Sequence, residues 1–253
     1  MMDLELAGKI ILVTGANGGI GSSICKAFLQ QGSKVIALYR GEPEKIAFLH
    51  EWASDNDCGD NLETFSTDIT NASAVEEILQ QIMQKYSHVD VLVNNAGNLV
   101  ERPFLITGDS DWEGLLDVHL KGNIVLTRAV AKQMLMANRG NVINITSVVG
   151  SAWGRGVSAY ASIKSAINRL TQILAVELGK KGIRVNAVAP GLIDTSMSKV
   201  LQARAEDVLA ERILLNRLGT PDDVARAVLF LASDVFSSYV TGHILTVDGG
   251  VSL

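Results

Sequence analysis

The sequence predicts an α/β fold, a doubly wound parallel sheet flanked by helices and formed as a single domain. Three observations carry this. Short β-branched runs alternate with amphipathic stretches for most of the length. Several runs are continuously apolar (Ile10-Ile11-Leu12-Val13; Val91-Leu92-Val93), as strands buried on both faces of a parallel sheet require. No linker, repeat or low-complexity tract divides the 253 residues, so residues 1–253 read as one domain.

The expected strands are Lys9 to Thr14, Lys34 to Tyr39, Glu63 to Ser66, Val89 to Asn94, Asn141 to Thr146, Arg184 to Ala189 and Ile244 to Asp248. Strand and helix in regular succession imply right-handed crossovers. After the first strand, Ile20, Ile24, Ala27 and Phe28 share one helical face. Ser54 to Asn61 reads as a polar surface loop, and Leu115 to Met136 and Ile163 to Leu178 as long helices with apolar faces left for self-association. Thr220-Pro221-Asp222-Asp223 opens another helix, with a capping hydroxyl, a first-turn proline and carboxylates at the positive dipole end.

Bulk composition removes some functions. A net charge of −5 argues against a general nucleic-acid binder, because phosphate contacts need a basic face. No apolar run approaches the roughly 18 residues of a membrane span, and the start lacks the charged flank and cleavage site of a secretory signal. A cytoplasmic protein with no membrane association is expected. Cys25 and Cys58 have neither metal-ligand nor redox spacing, so two unpaired thiols and no metal site are expected.

Thr14-Gly15-Ala16-Asn17-Gly18-Gly19-Ile20-Gly21 lies between the first strand and the first helix. Glycines at 15, 19 and 21 allow a tight turn, backbone approach to a pyrophosphate and close helix packing, and the helix start offers free N–H groups to phosphate. In this strand-to-helix setting the turn predicts dinucleotide binding by a Rossmann-type sheet. A carboxylate at the end of the second strand would hold both ribose hydroxyls; here Tyr39 is followed by Arg40, whose guanidinium suits a 2′-phosphate. NADP(H) is therefore expected in preference to NAD(H).

Tyr160-Ala161-Ser162-Ile163-Lys164 puts a phenol and an ammonium on one helical face. A free phenol ionises near pH 10; the neighbouring cation and an oxidised nicotinamide would favour the phenolate and bring that value down. Together with the glycine turn, Asn94-Asn95-Ala96-Gly97, Ser147, Pro190-Gly191-x-x-x-Thr195 and Val247-Asp248-Gly249-Gly250, this pair resembles the short-chain dehydrogenase/reductase family over essentially the whole chain, with most similarity to 3-oxoacyl-(acyl-carrier-protein) reductases.

The resemblance implies roles. Ser147 hydrogen-bonds the substrate oxygen, Tyr160 is the acid/base, and Lys164 binds the nicotinamide ribose and tunes Tyr160. Gly15, Asn17, Gly18, Gly19, Ile20 and Gly21 cradle the pyrophosphate, Asp68 and Ile69 border the adenine, and Asn95, Ala96 and Gly97 line the cleft. Pro190, Gly191, Ile193 and Thr195 cover the nicotinamide. Asp68 could also cap the helix beginning near Ser73. One departure stands out: where the family has an asparagine supporting a water linked to the lysine, this chain has His119, with Asn123 one turn later. His119 is expected to be structural or to support that relay, as a group titrating near neutrality.

Val148, Val149, Ser151, Ala152 and Trp153 are expected to shape the substrate pocket, with Met197 in an amphipathic lid around 192–215 that also holds Val200, Leu201, Leu209 and Ile213. Lys132, Arg139, Lys180, Lys181 and Arg184 are basic candidates for docking an acyl carrier protein. The resemblance also implies a homotetramer, or at least a dimer. The expected activity is NADP(H)-dependent reduction of a ketone, a 3-oxoacyl thioester or related metabolite. An alcohol, sugar or steroid dehydrogenase on the same scaffold is the alternative, and a non-catalytic dinucleotide sensor a third reading that an intact Ser147, Tyr160 and Lys164 disfavours.

Overall fold

The structure, a computed structural model, describes residues 3–152, 154–195 and 213–253. Seven strands form one sheet: β1 (Ile10–Thr14), β2 (Lys34–Tyr39), β3 (Leu62–Ser66), β4 (Val91–Asn94), β5 (Gly140–Ile145), β6 (Ile183–Pro190) and β7 (Ile244–Val247). Each lies within two residues of its expected bounds. All pairings are parallel, in the order β3-β2-β1-β4-β5-β6-β7. The chain winds outward from β1 to β3 and then crosses back to place β4 on the other side of β1. That reversal opens a crevice beyond the carboxyl ends of β1 and β4, where open α/β sheets bind ligands.

Alternation along the buried strands divides the core between two faces. Ile11 and Val13 of β1 and Val35 and Ala37 of β2 pack with α1 (Gly19–Gln30), α2 (Glu44–Asp55) and α7 (Pro221–Ala232), around Ile24, Phe28, Leu49 and Val228. Ile10, Leu12, Ile36 and Leu38 face the other way, onto α3 (Ala72–Tyr86), α5 (Asn123–Ala137) and α6 (Ser158–Gly179), against Leu79, Ile82, Leu126 and Val130. Phe28 is fully buried; truncating such a side chain to alanine costs about 3–5 kcal/mol.

Three expectations change in detail. The stretch Leu115 to Met136 is not one regular helix: α4 (Asp109–Leu115) passes into a π-helical turn, Leu116–Gly122, before α5 begins. An inserted π turn shifts side-chain direction and often marks a functional site; this one carries His119. Ser54 to Asn61 is less of a loop than its polarity suggests, because α2 runs to Asp55, Cys58 is buried and Gly59–Asn61 form a 3-10 turn. Arg184 is not a surface cation. It lies in β6 at 9% exposure, donating to the carbonyl of Leu231 (2.8 Å) and pairing with Asp234 (3.0 Å) at the end of α7. Thr220 caps α7 as expected, its hydroxyl accepting from Asp223 N–H while the Asp223 carboxylate accepts from Thr220 N–H. Among the described residues no helix is long and apolar enough to cross a membrane.

Candidate active site

The glycine turn sits at the carboxyl end of β1, with α1 starting beyond it. Gly15 adopts a φ of +66°, which only glycine takes without strain. A β-carbon on Gly21 would fall 2.2 Å from the Gly15 carbonyl oxygen, so the helix can approach the turn only without one. Gly18 is the N-cap of α1, with no side-chain cap and no acidic residue in the first turn, which leaves N–H groups and the positive dipole end to an anion. Asn17 and Ile20 are half-buried beside it. Asn95 knits the turn to β4: its amide donates to the carbonyls of Thr14 (2.9 Å) and Gly15 (3.2 Å), and the N–H groups of Asn95 and Ala96 both donate to the Thr14 hydroxyl.

At the end of β2, Arg40 lies 3.7 Å from Asp68 at the end of β3. Asp68 does not cap α3, because Asn71 accepts from the N–H groups of Ser73 and Ala74 instead. The Asp68 carboxyl is held below its ordinary range, chiefly by the Thr70 N–H and hydroxyl and further by Arg40. A second cation is present that spacing alone missed. The Lys45 ammonium reaches back over Gly41, where a β-carbon would meet it at 2.8 Å. Its signal in the sequence is a lysine five residues past Arg40, in the first turn of α2.

Ser147, Tyr160 and Lys164 come together at the carboxyl end of β5. Ser147 opens a 3-10 turn, Val148–Gly150, and its hydroxyl oxygen accepts from the Val149 N–H at 3.4 Å, which aims its own hydrogen elsewhere. Burial pushes the Tyr160 phenol up to about 12, and the polar Ser147 side chain facing it opposes this. The phenol thus titrates above its ordinary value, not below it as the spacing predicts; the Lys164 ammonium lies 5.4 Å from the ring centre and donates to the Ile145 carbonyl at 2.8 Å. Burial also lowers Lys164 itself, to about 7.

His119 stacks edge-on against Tyr160, ring centres 5.4 Å apart, and lies so close to Gly97 that a β-carbon there would meet the imidazole at 2.2 Å. Its Nε2 is 2.7 Å from the Asn98 carbonyl oxygen. Among the described residues its buried Nδ1 has no hydrogen-bond partner. The expected titration near neutrality does not survive burial, which with the Lys164 charge lowers His119 to about 3. The Asn98 N–H also lies 3.2 Å from Nε2; in the neutral tautomer that donates from Nε2 to the Asn98 carbonyl, Nδ1 keeps its lone pair as an acceptor. His119, Lys164, Asn94, Asn123 and Thr14 border a cavity of about 10 Å³, the room of one water-sized sphere. Asn123 is committed elsewhere, donating to Asn144 (3.0 Å) and accepting from Thr127 (3.2 Å).

Pro190 ends β6, and the segment after it returns to the glycine turn. Gly191 lies against Asp248, Ile193 bridges to Gly219, and the Thr195 side chain meets the Gly19 backbone. Ile69 is buried and lines the same small cavity. Trp153, Met197, Val200, Leu201, Leu209 and most of the expected lid lie outside the described residues.

Residues 15–252 match a family model described as Enoyl-(Acyl carrier protein) reductase. Over 248 residues the chain is 37% identical to the 3-oxoacyl-(acyl-carrier-protein) reductase FabG of Thermotoga maritima, covering 98% of this chain and 99% of that protein. The chain belongs to the short-chain dehydrogenase/reductase family. Among solved structures it superimposes on a Beutenbergia cavernae protein ascribed to NAD(P)-dependent gluconate 5-dehydrogenases, with NADP bound at low occupancy (TM-score 0.91, 33% identity, 99% of each chain). It also superimposes on one from Agrobacterium tumefaciens ascribed to gluconate dehydrogenases (TM-score 0.94, 28% identity, 100% of each chain). This short-chain dehydrogenase/reductase is thus an NAD(P)-dependent oxidoreductase of the CH–OH/C=O class.

Proposed function

We propose that this enzyme reduces a 3-oxoacyl thioester to the 3-hydroxy form with NADP(H), Tyr160 giving the proton. The observation that carries the reading is the junction of Ser147, Tyr160 and Lys164 beside the glycine turn, in a chain similar to FabG proteins along nearly its whole length. The turn fits a dinucleotide: its backbone is open to close approach at Gly15 and Gly21, and the start of α1 has no side-chain cap and no acidic residue of its own in the first turn. Gly18, Gly19 and Ile20 would hold the pyrophosphate, and Asp68 and Ile69 the adenine. Two cations, Arg40 at the end of β2 and Lys45 reaching back over Gly41 from the first turn of α2, support NADP(H) over NAD(H).

When bound, the nicotinamide supplies a hydride to the carbonyl carbon and is oxidised in doing so. The Ser147 hydroxyl donates to the carbonyl oxygen and holds it beside Tyr160. Tyr160 transfers its proton to that oxygen as negative charge develops there. A phenol raised to about 12 stays protonated at neutral pH, the form needed for reduction, and is still a stronger acid than the alcohol formed when it protonates the alkoxide. Lys164 would bind the ribose hydroxyls, and with His119 it borders a small cavity with room for one water beside the lysine.

The thioester's carrier would be an acyl carrier protein, a reading supported by the FabG similarity and by Lys132, Lys180 and Lys181 standing exposed on the surface. Exposed Met136 on α5 and Val176 on α6 support self-association as a homotetramer. The two structural neighbours ascribed to gluconate dehydrogenases favour a second reading, oxidation of a sugar acid by the same groups. Initial rates with NADPH and an acetoacetyl thioester, beside NADP⁺ and gluconate, decide between them. Turnover of gluconate alone would overturn the thioester assignment.

A further inference from the structure

Tyr160, Lys164 and Asn168 follow one another at i, i+4 and i+8, a single stripe along α6. The first two face the reacting centre. Asn168 is 8% exposed, and its amide nitrogen donates to the Ser151 hydroxyl at 3.2 Å, directly beneath the turn that carries Ser147. Ser165, on the exposed flank of the same helix, donates to the Gly150 carbonyl. Between these two bonds the turn lies almost in contact with the helix: a β-carbon on Gly150 would stand 3.0 Å from the Asn168 amide nitrogen and 3.1 Å from the Lys164 carbonyl carbon. The turn is closed internally as well, with Gly150 N–H on the Ser147 carbonyl and Ser151 N–H on the Val148 carbonyl, both at 3.0 Å. At its other end Thr146 is anchored to β6 through the Val188 carbonyl.

Ser147 therefore hangs between a strand end and a helix, and what presses it toward that helix is the grip on Gly150 and Ser151. We infer that Asn168, with Ser165, is a positioning residue of the reaction: by clasping Gly150 and Ser151 to α6 it sets the reach of Ser147 to Tyr160 and to the substrate oxygen. Asn168 touches no reacting atom itself. The inference rests on the reading of Ser147 and Tyr160 as the reacting pair. Its chemical content is that loosening the clasp draws the Ser147 hydroxyl away from Tyr160 and from the substrate oxygen.

The test uses the full chain with whichever probe it turns over faster, an acetoacetyl thioester with NADPH or gluconate with NADP⁺. Asn168→Ala should lower kcat about 10- to 100-fold, as displacements near 1 Å do, with KM for the nicotinamide cofactor within about twofold. Ser165→Ala, at an exposed position that tolerates truncation, should act in the same direction but less, and Ser165→Thr, which keeps the hydroxyl, should restore the rate. In a Ser147→Ala background the Asn168 substitution should cost less than about twofold, because the group it positions is gone. An unchanged kcat in folded Asn168→Ala and Ser165→Ala overturns the inference, as does a loss carried undiminished into the Ser147→Ala background. If Ser147→Ala and Tyr160→Phe are themselves fully active, the functional reading fails instead.

Discussion

Replacing His119 by asparagine should change how stability depends on pH, not merely how stable the protein is. The imidazole is 4% exposed, packed on the Gly97 backbone and Tyr160, and titrates at about 3 in the folded chain against an ordinary value of 6.5. Its folded value lies below its unfolded one, so between those limits the unfolded chain binds a proton that the folded chain refuses. Stability is then fully present above 6.5 and lost as pH falls toward 3. At about 1.4 kcal/mol per pH unit the whole span is worth roughly 5 kcal/mol, a large part of the 5–15 kcal/mol that holds a typical domain together. Between about pH 7 and about pH 4.5 the wild-type protein should lose roughly 2.5 kcal/mol from this group alone. Urea unfolding of wild type and His119→Asn, at one protein concentration and several pH values, isolates it, since carboxylates titrate alike in both. A constant offset between the two curves would report packing lost beside Gly97. The reasoning about burial requires the curves to converge or cross as pH falls. Curves that stay parallel within about 0.5 kcal/mol refute it.

Other substitutions probe the remaining groups. Arg40→Asp should move the ratio of kcat/KM for NADPH over NADH toward NADH by at least about tenfold, because a carboxylate repels a 2′-phosphate and accepts from ribose hydroxyls; an unchanged ratio in initial-rate measurements removes Arg40 from cofactor selection. Lys164→Met should abolish turnover yet raise stability. The buried ammonium titrates at about 7 instead of 10.5, so the wild type gains stability as pH rises between those values, and the variant's advantage should shrink by about 2–3 kcal/mol from pH 6 to pH 9 in denaturant titrations. An advantage independent of pH contradicts a buried charge at that position. Thr220→Ala should cost about 1 kcal/mol, read as a lower urea midpoint at unchanged slope, since its hydroxyl and the Asp223 carboxylate cap α7 reciprocally; an unaltered midpoint argues that other contacts hold that helix start.

The sheet was legible because its signal is local and repeated. Runs such as Ile10 to Val13 and Val91 to Val93 are apolar on both faces only if helices cover both, and the glycines at 15, 19 and 21 have one compact use between a strand and a helix. Thr220 to Asp223 declared a helix start by residue type alone. What escaped was set by tertiary neighbours. Nothing adjacent to His119 in sequence says that Gly97, Tyr160 and Lys164 will bury it and hold it neutral, nor that a π turn will carry it. Arg184 reads as a surface cation until β6 places it under the end of α7, where free carbonyls take its donors. Tyr160 and Lys164 were legible by spacing, but their electrostatics were not, because burial moves both groups against their charged forms. Asn168 continues the same four-residue spacing and was missed, since an amide in a helix carries no chemistry until its partner on the turn is known.

Hydride transfer gated by the Tyr160 phenol is measured most directly by following label. NADPH carrying deuterium at the transferable C4 position, incubated with an acetoacetyl thioester and wild-type protein, should deliver that deuterium to carbon 3 of the hydroxy product, and Tyr160→Phe should deliver none while binding NADPH with wild-type affinity. Product formed without label, or label delivered equally by the phenylalanine variant, contradicts the assignment.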